Sequence, residues 1–443
     1  MLELIERITR DRPRVETVPT CVSYSAHLSA DPGLASGVIE RVTGGAALAD
    51  HATARRAAVG EAFERFCGNS VPDDLVTGSY HLLTRMGRPA EDPRQFALYS
   101  RRQYQQRGFP FVMMERDLPI SWTWGNDLHT GEEVLVPASL SYVNYFRGTR
   151  RVEPPTNYPV LAGTAAGPSP EQARRSALEE VFERDAVTLW WASGAEASAL
   201  PLVAEGPLVR ALAEAEAAGL QVTFLRIPST FDVLVAGVFI EDPVRQLVAF
   251  GSACRPQAEA AAAKAFTEAI GMHETGLELL AADGGFWRAV RAERIDHSPY
   301  RLHRHDRAYL EDFRTDWRDV NDVRLHLQLY LDPRMQGARL DRLRAPAPVP
   351  VPLPSPDTVS WGGYLRQLEG QGMHAVAVDL TTPQARAAGL HVARVLVPGL
   401  SCNAPAAFPF LGGHRLREEP AVRGWLPGPL TEEQLITAPL PFS

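Results

Sequence analysis

The most informative pattern of apolar and polar positions is SALEEVFERDAVTLWW, Ser176 to Trp191. Wound as an α-helix, this stretch puts Ser176, Glu180, Glu183 and Arg184 within one arc of about 100°. Ala177, Leu178, Val181, Phe182 and Leu189 fall on the other side. A helix apolar over most of its girth is predicted to lie inside the fold, with its carboxylates facing an internal site. Buried carboxylates must be paired, protonated or bound to a metal. The pattern has an upstream copy. ARRAAVGEAFERF at 54–66 aligns with ARRSALEEVFERD at 173–185, so Glu61, Glu64 and Arg65 match Glu180, Glu183 and Arg184. The match extends back to Gly44 against Gly163, each followed within a few residues by an Ala-Ala pair.

A single E-x-x-E-R usually marks a solvated helix carrying weak ion pairs. Its repetition, with the same flanking A-R-R and the same Phe between the glutamates, favours four carboxylates converging on one charged ligand. Two helices each offering two glutamates suit Mg²⁺, a hard cation that takes oxygen ligands and rarely a full protein cage. The arginines would then meet phosphate oxygens or orient the carboxylates. This describes a nucleotide site without a Walker loop.

Along the rest of the chain, periodicity predicts a short amphipathic helix near the N-terminus, then a strand-like VETVPTCVSYSA. A Gly-Gly turn at Gly44–Gly45 follows, then the first acidic helix over about 50–68. Residues 70–115 read as helical and polar. Residues 119–143 alternate like paired strands around a Gly-containing turn. TNYPVLAGTAAGPS, from Thr156, is a Gly/Ala-rich approach to the central helix, of the kind that brings backbone N–H groups to an anion. An Ala-rich helix is predicted at 206–219, β-type runs at QVTFLRIP, VLVAGVFIED and QLVAFGSACR, and a long helix at about 257–280. Lys264 and Glu268 share one face of that last helix at i, i+4 spacing. Residues 285–340 read as charged and helical; His303, His305 and Asp306 there do not make a metal set and are assigned to the surface. APAPVPVPLPSP at 345–356 is an extended connector. Beyond it the order is helix, strand, short helix, strand, as in an α/β-type layer. The proline-dense C-terminus is either disordered or held extended in a groove.

Composition narrows the choices. The net charge of −8 argues against a nucleic-acid or anionic-membrane surface. No stretch approaches the ~18 apolar residues needed to span a membrane. The cysteines Cys21, Cys67, Cys254 and Cys402 are scattered without ligand spacing, and read as free thiols of a cytoplasmic protein. Lys264 is the only lysine of the 443 residues, most simply a coding bias.

Three stretches resemble the YcaO family. SALEEVFERDA, preceded by Gly163 to Gly167, is similar to the family's S-x-x-x-E-x-x-E-R helix and G-x-A-A-G loop. GEAFERF resembles its paralogous acidic helix, and MHAVAVDLTTPQARAAGLHVARVLVPGL resembles its C-terminal segment. The resemblance implies an α+β fold of internally duplicated helix-plus-sheet halves around a central ATP/Mg²⁺ site. It implies an N-terminal extension over 1–40 and a YcaO domain over 41–443, with the proline-rich connector at 345–356 and an α/β segment with its tail at 357–443. It makes Glu61, Glu64, Glu180 and Glu183 the Mg²⁺ ligands. Ser176, Arg184, Arg65, Lys264 and Glu268 become ATP-binding residues, and Pro441 and Ser443 catalytic residues of a tail that enters the active site. The implied activity is ATP-dependent activation of backbone amides in a ribosomally made precursor peptide, giving thiazoline or oxazoline rings. An E1-like, leader-peptide-binding protein is the implied partner, and a homodimer stays open. The alternatives are a thioamide-forming enzyme with a TfuA-type partner, or a non-catalytic scaffold. Ala57 stands where the family's first helix opens with Ser, and Gly44 to Ala46 replace a G-K-G-type loop. Gly271 and His273 replace a Gln and an Arg after Glu268, and Lys264 replaces an Arg.

Overall fold

The computed structural model describes residues 4–13, 15–29, 41–348 and 352–441. Strands β1 (Ile5–Arg10), β2 (Cys21–Leu28) and β3 (Val42–Leu48) form an antiparallel sheet in that order. The segment expected to open with a short helix is therefore a strand. A register shift between Ile5 and Arg7 inserts an extra residue, so Ile5 and Ile8 recur at a spacing of three, which imitates a helix. The boundary expected near residue 40 falls in 30–40, outside the described residues; strands on either side of it pair in one sheet.

Gly44–Gly45 is not a turn but the middle of β3. A Cβ on Gly45 would lie 2.1 Å from the Ala58 nitrogen and 2.6 Å from the Ala54 oxygen. The glycine thus lets helix α1 (His51–Asn69) lie directly on the strand. α1 starts at Asp50, whose carboxylate accepts from the Thr53 N–H, a standard N-cap.

Residues 70–115, expected to be helical, are mostly irregular, with one-turn helices and the short strand β4 (Val76–Gly78). β5 (Ile120–Asp127) and β6 (Glu133–Pro137) form the expected hairpin. The Gly/Ala-rich approach is strand β7 (Thr164–Gly167). Helix α2 (Pro170–Ser193) follows, capped by the Ser169 side chain, begun by Pro170 and ended at Gly194, whose φ is 74°. Its apolar girth is buried as expected: Ala177, Leu178, Phe182 and Leu189 are inaccessible.

Helix α3 (Gly206–Ala217) precedes an antiparallel sheet ordered β11-β10-β9-β8. Its strands are β8 (Ser198–Ala199), β9 (Gln221–Ile227), β10 (Val235–Asp242) and β11 (Leu247–Cys254). Helix α4 (Ala258–Leu280) lies back on β11 at Gly251, where a Cβ would come within 2.3 Å of the Ala265 oxygen. Residues 285–340 are not continuously helical; they hold short turns of helix between irregular segments. Helix α5 (Trp361–Gly370), β12 (Val376–Asp379) and β13 (His391–Leu396) follow the connector, with α6 (Arg415–Val422) near the end. β12 and β13 do not form an α/β-type layer. They pair antiparallel and complete a six-stranded sheet ordered β4-β5-β12-β13-β7, with β6 on β5. Helices and antiparallel strands make this an α+β fold, with α2 packed between the six-stranded sheet and β11.

Candidate active site

Three strand–helix units, β3–α1, β7–α2 and β11–α4, bring their helices to one cleft of about 1570 Å³. Glu61 and Glu64 of α1 and Glu180 and Glu183 of α2 all line it. Each carboxylate is held. Glu61 accepts from the Arg65 guanidinium at 2.9 Å. Glu64 accepts from the Ala166 N–H of β7 at 2.7 Å, so the two duplicated units grip each other. Glu180 accepts from the Gly163 N–H at 2.9 Å. Glu183, 5 % exposed, accepts from the Ser252 hydroxyl at 2.7 Å and the Cys254 N–H at 3.2 Å. The N–H groups of the Gly/Ala-rich segment thus meet carboxylates of the protein itself. Arg184 reaches between Glu180 and Glu183, 3.8 and 3.5 Å from their oxygens.

The crowding shows in the titration of these groups. Burial and the charge of Glu61 hold Glu64 well above the usual carboxylate range. On Glu61 the effect of burial is outweighed by the charge of Arg65 and by hydrogen bonds from Glu64 and Arg65, which keep it low. Glu64 thus resists ionisation beside the ionised Glu61. Burial raises Glu180 against the opposing charge of Arg184. Glu183 is pushed up to about 7 by burial, with Glu268 adding to the effect and Arg184 opposing it. About a third of the Glu61 side chain still meets the open cleft.

These groups fit Mg²⁺ in one particular way. Acids that resist ionisation beside one another are relieved by a divalent cation. Among the described residues, however, no three His, Cys, Asp or Glu side chains already converge on a single metal position. The set suits a cation that keeps water and brings phosphate oxygens with it. The same cleft supplies cations for an anion: Arg65, Arg184, Arg255 and Lys264, the last 2.9 Å from Glu268. The charge of Glu268 holds the Lys264 ammonium above its ordinary range.

Ser176, Arg65, Arg184, Lys264 and Glu268 join the four glutamates on the cleft wall. Pro441 is not on that wall. Its carbonyl accepts from the Phe250 N–H at 3.1 Å, at the edge of β11 and two residues from Ser252. The Ala438 and Pro439 carbonyls accept from the Trp191 indole and the Tyr330 hydroxyl, both at 2.7 Å, so the tail is held extended in a groove. Ser443 lies outside the described residues. Ala57 lines the cleft, whereas His273 is buried against Asp242 at 3.0 Å, away from it. Gly271 faces open space. The sequence pattern missed Ser252 and Arg255: they sit within a β-run with no motif of their own, and only the β11–α2 packing brings Ser252 to Glu183. Arg255 lies 3.5 Å from buried Glu179.

A cleft that mixes paired acids with fixed cations, at helix-borne positions and without a Walker loop, suits a magnesium–nucleotide complex. The family model described as YcaO cyclodehydratase, ATP- and Mg²⁺-binding, matches residues 45–401. The chain belongs to the YcaO family. No curated protein matches the sequence. Among solved structures, a heterocyclase in complex with substrate and cofactor superposes with a TM-score of 0.70 at 18% identity, over 99% of this chain and 55% of that one. YcaO from Methanopyrus kandleri, bound with AMPPCP and Mg²⁺, has a TM-score of 0.55 at 19% identity, with 91% of each chain covered. The E. coli microcin synthetase McbBCD complex with pro-MccB17 bound has a TM-score of 0.56 at 10% identity, over 89% of this chain and 88% of that one. The chain spans about half the length of the first two heterocyclases it resembles, at 55% and 50%. Among the described residues no helix is long and apolar enough to cross a membrane.

Proposed function

We propose that this chain is the ATP-dependent cyclodehydratase subunit of a peptide-modifying system, acting on backbone amides of a ribosomally made precursor to form thiazoline or oxazoline rings. The observation that carries this reading is the meeting of Glu61, Glu64, Glu180 and Glu183 with Arg184, Arg255 and Lys264 in one cleft. A Cys, Ser or Thr side chain adds to the preceding carbonyl carbon, its S–H or O–H proton passing to water. The resulting oxyanion takes the γ-phosphoryl group of ATP, releasing ADP. Phosphate then departs with the former carbonyl oxygen as the amide nitrogen loses its proton, leaving a C=N bond. Mg²⁺, when bound, would neutralise the phosphate charge. Glu61, Glu64, Glu180 and Glu183 would hold it, and Arg184, Arg65 and Lys264 would orient phosphate oxygens in a walled site where fixed charges act strongly. Ser176, one turn before Glu180, would donate a hydroxyl to the nucleotide, with Glu268 steering Lys264. Pro441 and Ser443 are proposed as candidate catalytic residues; the described part of the tail, up to Pro441, runs beside the strand that supports Glu183.

The McbBCD synthetase is described as a complex with pro-MccB17 bound, which supports a precursor peptide and partner proteins here; an E1-like, leader-peptide-binding protein is the partner proposed. The non-catalytic scaffold is the second reading, favoured by Ala57 and Gly271, which leave the first and third helices without the side chains the family pattern carries there. Phosphate release and product mass, measured with peptide, partner, ATP and Mg²⁺ present, decide between them. Loss of water with phosphate release is expected. Oxygen-for-sulfur exchange would indicate the thioamide reaction, and no phosphate release would overturn the catalytic reading.

A further inference from the structure

Behind Arg184 a second, smaller cavity of about 70 Å³ adjoins the cleft, with Ala162 and Arg184 lining both. Its walls are otherwise aliphatic or aromatic: Val160, Val181, Leu400, Phe96 and Phe410 among them. The polar side chains are Arg184, already engaged by Glu180 and Glu183, with Ser401 and Cys402. Burial pushes the Cys402 thiol up to about 11, so it stays neutral. A phosphate has no free cation here. An adenine ring does not fit either: benzene occupies an engineered cavity of about 150 Å³, roughly twice this volume. A branched aliphatic group of three or four carbons does fit, and its ring of apolar walls favours one.

The geometry points to a side-chain subsite: we propose that this cavity takes an aliphatic side chain, of valine size, from the peptide residue whose carbonyl is attacked. The inference rests on the proposed amide chemistry. If the reacting carbonyl lies among the glutamates, the side chain of the same residue leaves the adjacent Cα and must be accommodated within a few ångströms. The apolar hollow shares Arg184 and Ala162 with the cleft and has no charged group of α4 in its wall. Leu400, which lines the hollow and not the cleft, would then set the size of the accepted side chain.

The test is calorimetric titration of the full chain, with Mg²⁺ and a non-hydrolysable ATP analogue, using two synthetic octapeptides that carry Val or Gly immediately before a single cysteine. Burying a valine side chain predicts about tenfold tighter binding of the Val peptide. Leu400→Phe, which fills the hollow, is expected to abolish that preference while leaving the Gly peptide and the nucleotide analogue unaffected. Equal affinity for the two peptides, no binding of either, or a Leu400→Phe variant that loses the nucleotide instead would overturn the assignment. Because binding is read without turnover, the two failures separate: phosphate release with equal binding of the two peptides sinks the subsite alone, whereas selective binding with no phosphate release sinks the catalytic reading and leaves only a valine-sized peptide pocket.

Discussion

Asp185 follows the site arginine Arg184 but points the other way, into the core, and its removal is the most quantitative test of how α2 is held. Asp185 is 0 % exposed and Arg415 is 7 % exposed. Arg415 donates to Asp185 through Nε at 2.9 Å and Nη2 at 2.6 Å, and the Ser401 N–H donates at 2.8 Å. Nη2 also meets the Thr230 hydroxyl at 2.6 Å. Asp185→Ala leaves a buried guanidinium with one neutral hydrogen-bond partner, Thr230, and only the lesser charge effect of Glu419, and strands the Ser401 N–H. Breaking a buried pair from one side costs about 3–5 kcal/mol, and the stranded N–H adds part of a further 1–3 kcal/mol. We expect a loss of about 4–5 kcal/mol in urea unfolding followed by tryptophan fluorescence, with an unchanged m-value. Asp185→Leu combined with Arg415→Met removes both charges and should recover most of that loss. A single-variant cost under about 1 kcal/mol, or a double variant as unstable as the single, would refute the claim that an uncompensated charge is what destabilises the fold.

Two other substitutions test separate parts of the account. Gly45→Ala places a Cβ against the backbone of α1, with an expected cost of about 1–3 kcal/mol or more and a displaced Glu61–Glu64 pair. Gly44→Ala, which meets nothing within 4 Å, should leave the unfolding midpoint unchanged. Glu274 is pushed up to about 7, by burial first and then by Asp11 and Glu16. The folded state therefore keeps a proton that the unfolded chain loses near pH 4.5, and stability falls as pH rises from there through 7. At about 1.4 kcal/mol per unit, reduced by solvent screening, the penalty above pH 7 is on the order of 2 kcal/mol. Glu274→Gln should therefore be more stable than the parent at pH 8 and no more stable at pH 4.5, as read by unfolding midpoints; an unchanged difference across that range would contradict the assignment.

The duplicated acidic helices were legible because a 3.6-residue period and a repeated E-x-x-E-R are local properties of the chain. The hairpin at 120–137 and the strands from Gln221 to Cys254 were legible for the same reason, since alternation and β-branched runs are local. β1 was misread because its bulge spaces Ile5 and Ile8 like a helix. β3 was misread because Gly44–Gly45 is a turn signal locally, and only the approach of α1 explains the glycine at 45. The α/β layer was misread because the order of helix and strand does not fix strand direction. Ser252, Arg255 and the Asp185–Arg415 pair belong to contacts between segments distant in sequence, which no single-stretch pattern contains. His273 stands where the family pattern has an Arg, yet the helix turns it toward Asp242 in the interior.

Titration of ATP with Mg²⁺ into the parent chain and into Glu180→Gln and Glu183→Gln variants tests the central claim most directly. The account predicts magnesium-dependent binding in the parent and at least a tenfold weakening in each variant, with the fold retained by circular dichroism. Parent-like binding in both variants would mean that this cleft does not hold the metal–nucleotide complex.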